Sequence, residues 1–291
     1  MFIESERFIS TTSRRSKMRL QARRGKRLGR IAGFLRLMPR AFKCSFSTTG
    51  KCEPQPAVLS PGGWLLIRGV KIVKTDEEGS AMSAPKAVFV LIHGGWHNHS
   101  SWDRVTPILK ANGFAALALD LPGAGVNAIA PTSLGLRPFD PAAFAAERSP
   151  IAGVTQQERT QAVVALVKEA VSLSDGKVIL VGHSAGGMTI SAVAEQVPNL
   201  LLAIVYLSGF MVPKGMPLLA MLQHETLSSA LAPGLFVGDP AAIGATRIHG
   251  RSTDKAYRSL LKAAFYGDVS ESDFAHAASQ LHCDEDRKSV V

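Results

Sequence analysis

A parallel α/β sheet covered by helices on both faces is the fold class the sequence predicts, on three observations. Continuous apolar, β-branched runs recur at Ala87–Ile92, Phe114–Leu119, Lys177–Val181 and Leu201–Leu207, the pattern of strands buried on both faces. Stretches with helical spacing lie between them, and strands alternating with helices build a parallel sheet. One strand also runs straight into Gly182-His183-Ser184-Ala185-Gly186, with a helix-like stretch after it.

Taken in chain order, residues 1–50 read as a basic, disordered leader. Leu20, Leu28, Ile31, Leu35 and Met38 recur at helical spacing between arginines and predict a basic amphipathic helix over about 18–38. Two alternatives stand beside the tail reading: a mitochondrial transit peptide, which Glu4 and Glu6 oppose, and a membrane-surface helix. Residues 51–81 are Pro/Gly-rich, a linker or a weakly packed entry to the sheet, with one candidate hairpin, Trp64–Arg68 and Val70–Lys74, around Gly69. Residues 82–212 form the α/β core. Its helices are expected at Ser101–Asn112, stopped by Gly113, at Thr155–Ser174 and at Ala185–Gln196. Thr155 with Glu158 makes a capping box, and Ala162, Val163, Leu166, Val167 and Val171 give that helix its apolar face. Residues 213–283 show helical pieces (Pro217–Glu225, Asp254–Ala264, Ser272–Leu281) and predict a helical cap without a further buried strand; 284–291 read as a polar tail.

Composition narrows the function. The chain is 46% hydrophobic and 19% charged, enough for a large core. Its net charge of +10 belongs to the leader: residues 1–50 hold 13 Lys/Arg against 2 Asp/Glu, a net of +11, so the remainder sums to −1. No nucleic-acid partner follows from that. Cys44, Cys52 and Cys283 have no metal-ligand spacing and form no disulfide framework, which leaves no metal site and makes a reducing cytoplasm the default compartment. No run approaches the roughly 20 apolar residues of a membrane span.

The chemistry concentrates at Ser184. A Gly-x-Ser-x-Gly turn between strand and helix is so tight that the residues flanking the serine, Gly182 and Gly186, must be small, and it lifts the serine oxygen clear of the sheet. The Ala185 N–H then starts a helix aimed at incoming negative charge. His93-Gly94-Gly95 follows the first strong strand.

Three segments in this order, Val90-Leu-Ile-His-Gly-Gly-Trp96, Ala118-Leu-Asp-Leu-Pro-Gly-Ala-Gly125 and Val181-Gly-His-Ser-Ala-Gly-Gly187, resemble the α/β-hydrolase superfamily. The branch most similar is that of small lidded serine esterases, which includes plant methylesterases and hydroxynitrile lyases, and the resemblance covers about 82–283. It implies an α/β-hydrolase-like sheet, no cofactor, and a small-molecule ester as substrate. Ser184 takes the nucleophile position, and Gly95 and Ala185 the oxyanion-hole donors. His93, Gly94, Gly182, His183 and Gly186 hold the motif's structure. His93 reads as a structural hydrogen-bonding residue rather than a base, His183 as a packing or specificity residue, and Asp120 as a loop-shaping residue rather than a triad acid. Trp96, His97 and His99 read equally as pocket mouth or solvated loop.

The superfamily order continues with an acid and a histidine on loops after two further strands. Downstream of Ser208 no such strand is legible. His224, His249, His276 and His282 all fall in the expected cap, with nothing to position them. The resemblance therefore implies a C-terminally incomplete hydrolase whose last sheet strands are missing, with little activity expected, since serine needs an oriented base. Leu201–Leu207 would be a bare apolar edge inviting self-association. Two other readings stay open: a hydroxynitrile lyase, which needs a cap lysine such as Lys214 or Lys262, and a degenerate, non-catalytic hydrolase.

Overall fold

The computed structural model describes residues 87–172, 178–217, 220 and 222–286, together with the backbone of three short strands before them. The leader and the amphipathic helix predicted at 18–38 lie outside the described residues. The three early strands are β1 (Val58–Leu59), β2 (Leu65–Ile67) and β3 (Val70–Lys74). β2 and β3 pair antiparallel with Ile67 opposite Val70, as the predicted hairpin requires.

The core follows with β4 (Val88–Ile92), α1 (Thr106–Ala111), β5 (Ala115–Ala118), α2 (Pro141–Ala146), α3 (Gln156–Ser172), β6 (Val178–His183), α4 (Gly186–Gln196) and β7 (Leu201–Leu207). β7, β6, β4 and β5 run parallel, in the sheet order β1-β2-β3-β7-β6-β4-β5. Every residue of β4 is buried, as an interior parallel strand demands. Val88, Val90, Ile92 and Leu180 point to the face on which α3 and α4 pack, and they form one core with Val163, Val167, Ile190 and Val193. On the opposite face, Phe89 meets Phe114 edge-on, with ring centroids 5.3 Å apart.

The local signals acted as their chemistry dictates. The α3 capping box is formed: the Thr155 N–H donates to Glu158 Oε2 (2.7 Å) and the Glu158 N–H to Thr155 Oγ1 (3.2 Å). The helix expected over Ser101–Asn112 is split into a 3-10 turn at His99–Trp102, capped by Asn98, and α1. Pro107 explains the late start, since it lacks an N–H and suits only the first turn of a helix.

Beyond β7 come α5 (Pro240–Ile243), β8 (Ala245–Arg247), α6 (Lys255–Phe265), α7 (Glu271–Ser279) and β9 (Asp284–Asp286). Pro217–Glu225 lies partly outside the described residues. Three expectations need correction here. The cap region is not purely helical: β8 is buried along its length and pairs antiparallel with β9. The polar tail predicted from 284 begins inside the fold, for Asp284 and Glu285 are only 2% and 1% exposed. Each carboxylate has a buried arginine: Arg247 grips both oxygens of Asp284 (2.7 and 2.8 Å), and Arg159 pairs with Glu285. Such pairing makes burial of a charge tolerable. Finally, β7 is not bare. β3 lies antiparallel along it through five residue pairs, Val70 opposite Leu207 to Lys74 opposite Ala203, and so satisfies that edge's backbone groups. Self-association through that edge loses its premise. No helix among the described residues is long and apolar enough to cross a membrane.

Candidate active site

β6 delivers Gly182 and His183 to the carboxyl edge of the sheet, and the chain turns through Ser184 into α4. Ser184 has φ +50°, the left-handed region that a side-chain-bearing residue enters only at a cost. Three backbone bonds hold it there. Its N–H donates to the Leu207 carbonyl (3.3 Å), and its carbonyl accepts from Gly187 (3.0 Å) and Phe210 (3.0 Å). A Cβ on Gly186 would lie 2.6 Å from the His93 carbonyl oxygen, so only glycine lets α4 start this close to the loop after β4. A Cβ on Gly94 would lie 2.9 Å from Ser184 Cβ and 2.9 Å from His183 Nδ1. The His93-Gly94-Gly95 loop and the elbow are thus in van der Waals contact, and Ala185 begins α4 in helical conformation beside them.

His93 is buried at 1% exposure and engaged at both ring nitrogens: Nδ1 lies 2.9 Å from the Gly94 carbonyl, and Nε2 accepts the Leu121 N–H (3.1 Å). Burial pushes its pKa down to about 4. His97 bonds the Gly95 carbonyl through Nδ1 (2.7 Å) and Tyr266 Oη through Nε2 (2.7 Å). A carbonyl only accepts, so Nδ1 carries the proton and the Tyr266 hydroxyl donates to Nε2. Burial lowers His97 to about 4; burial, with His97 and His93 nearby, lowers His183 to about 3. All three rings are neutral at pH 7.

Trp96 closes the loop at φ +59°. Its indole N–H donates to the Thr246 carbonyl (2.9 Å), its ring stacks on Phe265 with centroids 5.7 Å apart, and its carbonyl accepts the His282 N–H (3.1 Å). Its own N–H donates to Glu285 Oε2 (3.2 Å). Burial alone would raise the Glu285 pKa, but the Arg159 guanidinium and His282 hold it well below the usual carboxylate range. His282 Nε2 lies 3.9 Å from the same oxygen.

Of the residues singled out in the sequence, the structure brings His93, Gly94, Gly182, His183, Ser184 and Gly186 into one contact group. Asp120 lies apart from it and ties its own loop together, accepting from the N–H groups of His99 (2.7 Å) and Val126 (2.9 Å). Trp96 and His97 are packed and bonded rather than solvated, whereas His99 is exposed. Lys262 pairs with Glu271. The sequence reading missed Glu285, and it left His282 without a position. A cleft of about 540 Å3, lined by His99, Asp120, Val126, His249 and His282 among others, opens beside this loop, and Ser184 does not line it.

A parallel sheet with a strained serine between strand and helix defines the class of α/β hydrolases. Residues 89–289 match the Alpha/beta hydrolase family, and the chain belongs to it. It is 36% identical over 124 residues to salicylic acid-binding protein 2 of Nicotiana tabacum, covering 42% of this chain and 39% of that protein. It is 33% identical over 124 residues to methyl jasmonate esterase 1 of Vitis vinifera, covering 42% and 39%. With a carbendazim hydrolyzing esterase of Nocardioides sp. the identity is 33% over 138 residues, 47% of each chain. The chain thus spans about two fifths of the length of the plant relatives. A pyrethroid hydrolase from Sphingobium faniae JZ-2 shares the fold, with a TM-score of 0.50 at 23% identity over 69% of this chain and 68% of that one.

Proposed function

We propose that this chain is a serine hydrolase of the carboxylesterase type acting on small apolar esters. Ser184 Oγ bonds to the ester carbonyl carbon and the N–H groups of Gly95 and Ala185 hold the tetrahedral oxyanion. The bond to the alcohol oxygen breaks as that oxygen takes up the serine proton, and water then cleaves the acyl–serine bond, releasing the acid and restoring the hydroxyl. Two such donors in a dry site supply several kcal/mol of transition-state stabilisation. The observation that carries this reading is the left-handed backbone of Ser184 at a strand–helix junction, pressed against Gly94. His93, buried, and His183, half-buried, are neutral and act as supports for the two loops rather than as bases, and Gly94, Gly182 and Gly186 permit the close approach. The names of the plant relatives, methylesterases and a methyl jasmonate esterase, favour methyl esters of small organic acids.

One observation favours a second reading, a hydrolase fold that binds its ligand without turning it over. The Ser184 hydroxyl takes part in no hydrogen bond among the described residues, so none of them is seated on it as a base. Fluorophosphonate labelling, read by intact mass beside Ser184→Ala, separates the two. Labelling that vanishes in the variant supports the esterase. A folded wild-type chain that stays unlabelled overturns it in favour of the binding protein.

A further inference from the structure

We propose that Glu285 is a positioning residue for the anion-holding loop, fixing the Gly95–Trp96 peptide from one side while His97 fixes it from the other. The inference rests on Gly95 being an oxyanion donor. The peptide group is planar, so whatever holds its carbonyl and its N–H sets the torsions on either side of it. Here His97 Nδ1–H donates to the Gly95 carbonyl (2.7 Å), and Glu285 Oε2 accepts the Trp96 N–H (3.2 Å). Glycine has no side chain with which to hold itself, and Trp96 sits in a backbone region that opposes its side chain. The loop therefore takes its shape from outside.

Glu285 supplies that support at close range. A Cβ on Gly95 would lie 3.2 Å from Glu285 Cγ, so the carboxylate arm is seated directly against the glycine. Its two oxygens do different jobs: Oε1 meets Arg159 on α3, while Oε2 takes the loop N–H. Arg159 is itself anchored, its Nε donating to the Pro122 carbonyl (3.2 Å). An ion pair serving only to tether β9 needs no second oxygen on the loop. This one carboxylate bridges α3, β9 and the turn next to Ser184. His93, His97 and His282 are the other titratable groups facing it among the described residues.

The test must separate loop positioning from loss of a buried ion pair. Two double variants do so, each without an unpaired charge. Arg159→Met/Glu285→Gln keeps an oxygen for the Trp96 N–H, and Arg159→Met/Glu285→Leu removes it. The readouts are the rate constant for fluorophosphonate labelling of Ser184 and the Trp96 amide proton resonance. The Gln pair is expected to keep most of the labelling rate and a downfield Trp96 amide. The Leu pair should label about tenfold to a hundredfold more slowly, the scale of a small misplacement at a reacting centre, and lose the downfield shift. Equal rates and equal Trp96 resonances in the two pairs would overturn the proposal. A wild-type chain that does not label defeats the nucleophile reading alone, and the Trp96 resonance still decides the positioning. Should the Leu pair fail to fold, hydrogen exchange on the unmodified chain decides instead. A Trp96 amide protected like those of β4 and β6 supports the bond, and exchange at the rate of exposed loops refutes it.

Discussion

Acid should destabilise this protein through His93, by an amount the structure sets. His93 is buried with Nε2 accepting the Leu121 N–H, so a proton there would face another proton. Its pKa in the fold is about 4, against an ordinary 6.5, because burial disfavours the charged ring more than the Gly94 carbonyl and Glu285 favour it. As pH falls below about 6.5 the unfolded chain takes up a proton that the folded chain refuses. The stability contributed by the neutral ring is therefore complete above 6.5 and is lost progressively down to about 4. At pH 5 the loss from this one group is about 2 kcal/mol. The perturbation is His93→Gln, which does not titrate and offers an oxygen to the Leu121 N–H. Urea unfolding of both proteins at pH 7.5 and pH 5 gives four free energies. The wild type should lose about 2 kcal/mol more than the variant between the two pH values. His97 and His183 are shifted the same way and titrate in both proteins, so the part of their effect that comes from burial, the largest cause for each, cancels in the difference. Equal losses in the two proteins would refute the argument, whatever the variant's stability at neutral pH.

Ser184→Gly relieves a left-handed backbone and should raise stability by about 1 kcal/mol while abolishing fluorophosphonate labelling; a lowered melting temperature would show that the elbow is not strained. Arg247→Met strips Asp284 of its bidentate partner and frees the Phe144 and Glu147 carbonyls, leaving a buried carboxylate unpaired. It should cost about 3–5 kcal/mol in chemical denaturation, and Arg247→Met/Asp284→Leu should recover part of that loss.

The core was legible because its signals are local and periodic. β4, β6 and β7 are continuous apolar runs, α3 announces itself by a capping box that the structure forms, and the Gly-x-Ser-x-Gly turn dictates its own conformation at Ser184. The region after β7 was not, because its order depends on charge partners far apart in the chain. Arg159 and Glu285 are 126 positions apart, and Arg247 and Asp284 are 37 apart. Counted as composition, Asp284 and Glu285 look like a solvated tail; paired, they make a buried strand. One signal was available. Arg159 stands four residues before Val163 and eight before Val167, on the buried stripe of α3, and an arginine there demands a buried acid.

By itself, then, the sequence determined the parallel sheet, the helices that flank it and the elbow that presents Ser184. In each of these the apolar period or turn chemistry acts within a few residues. Only the tertiary structure decided that β3 covers the β7 edge, that the His93 ring is locked between Gly94 and Leu121, and that Glu285 reaches the Trp96 N–H. Those outcomes turn on which distant charges and backbone groups meet once water is excluded, and residue order along the chain does not encode that locally.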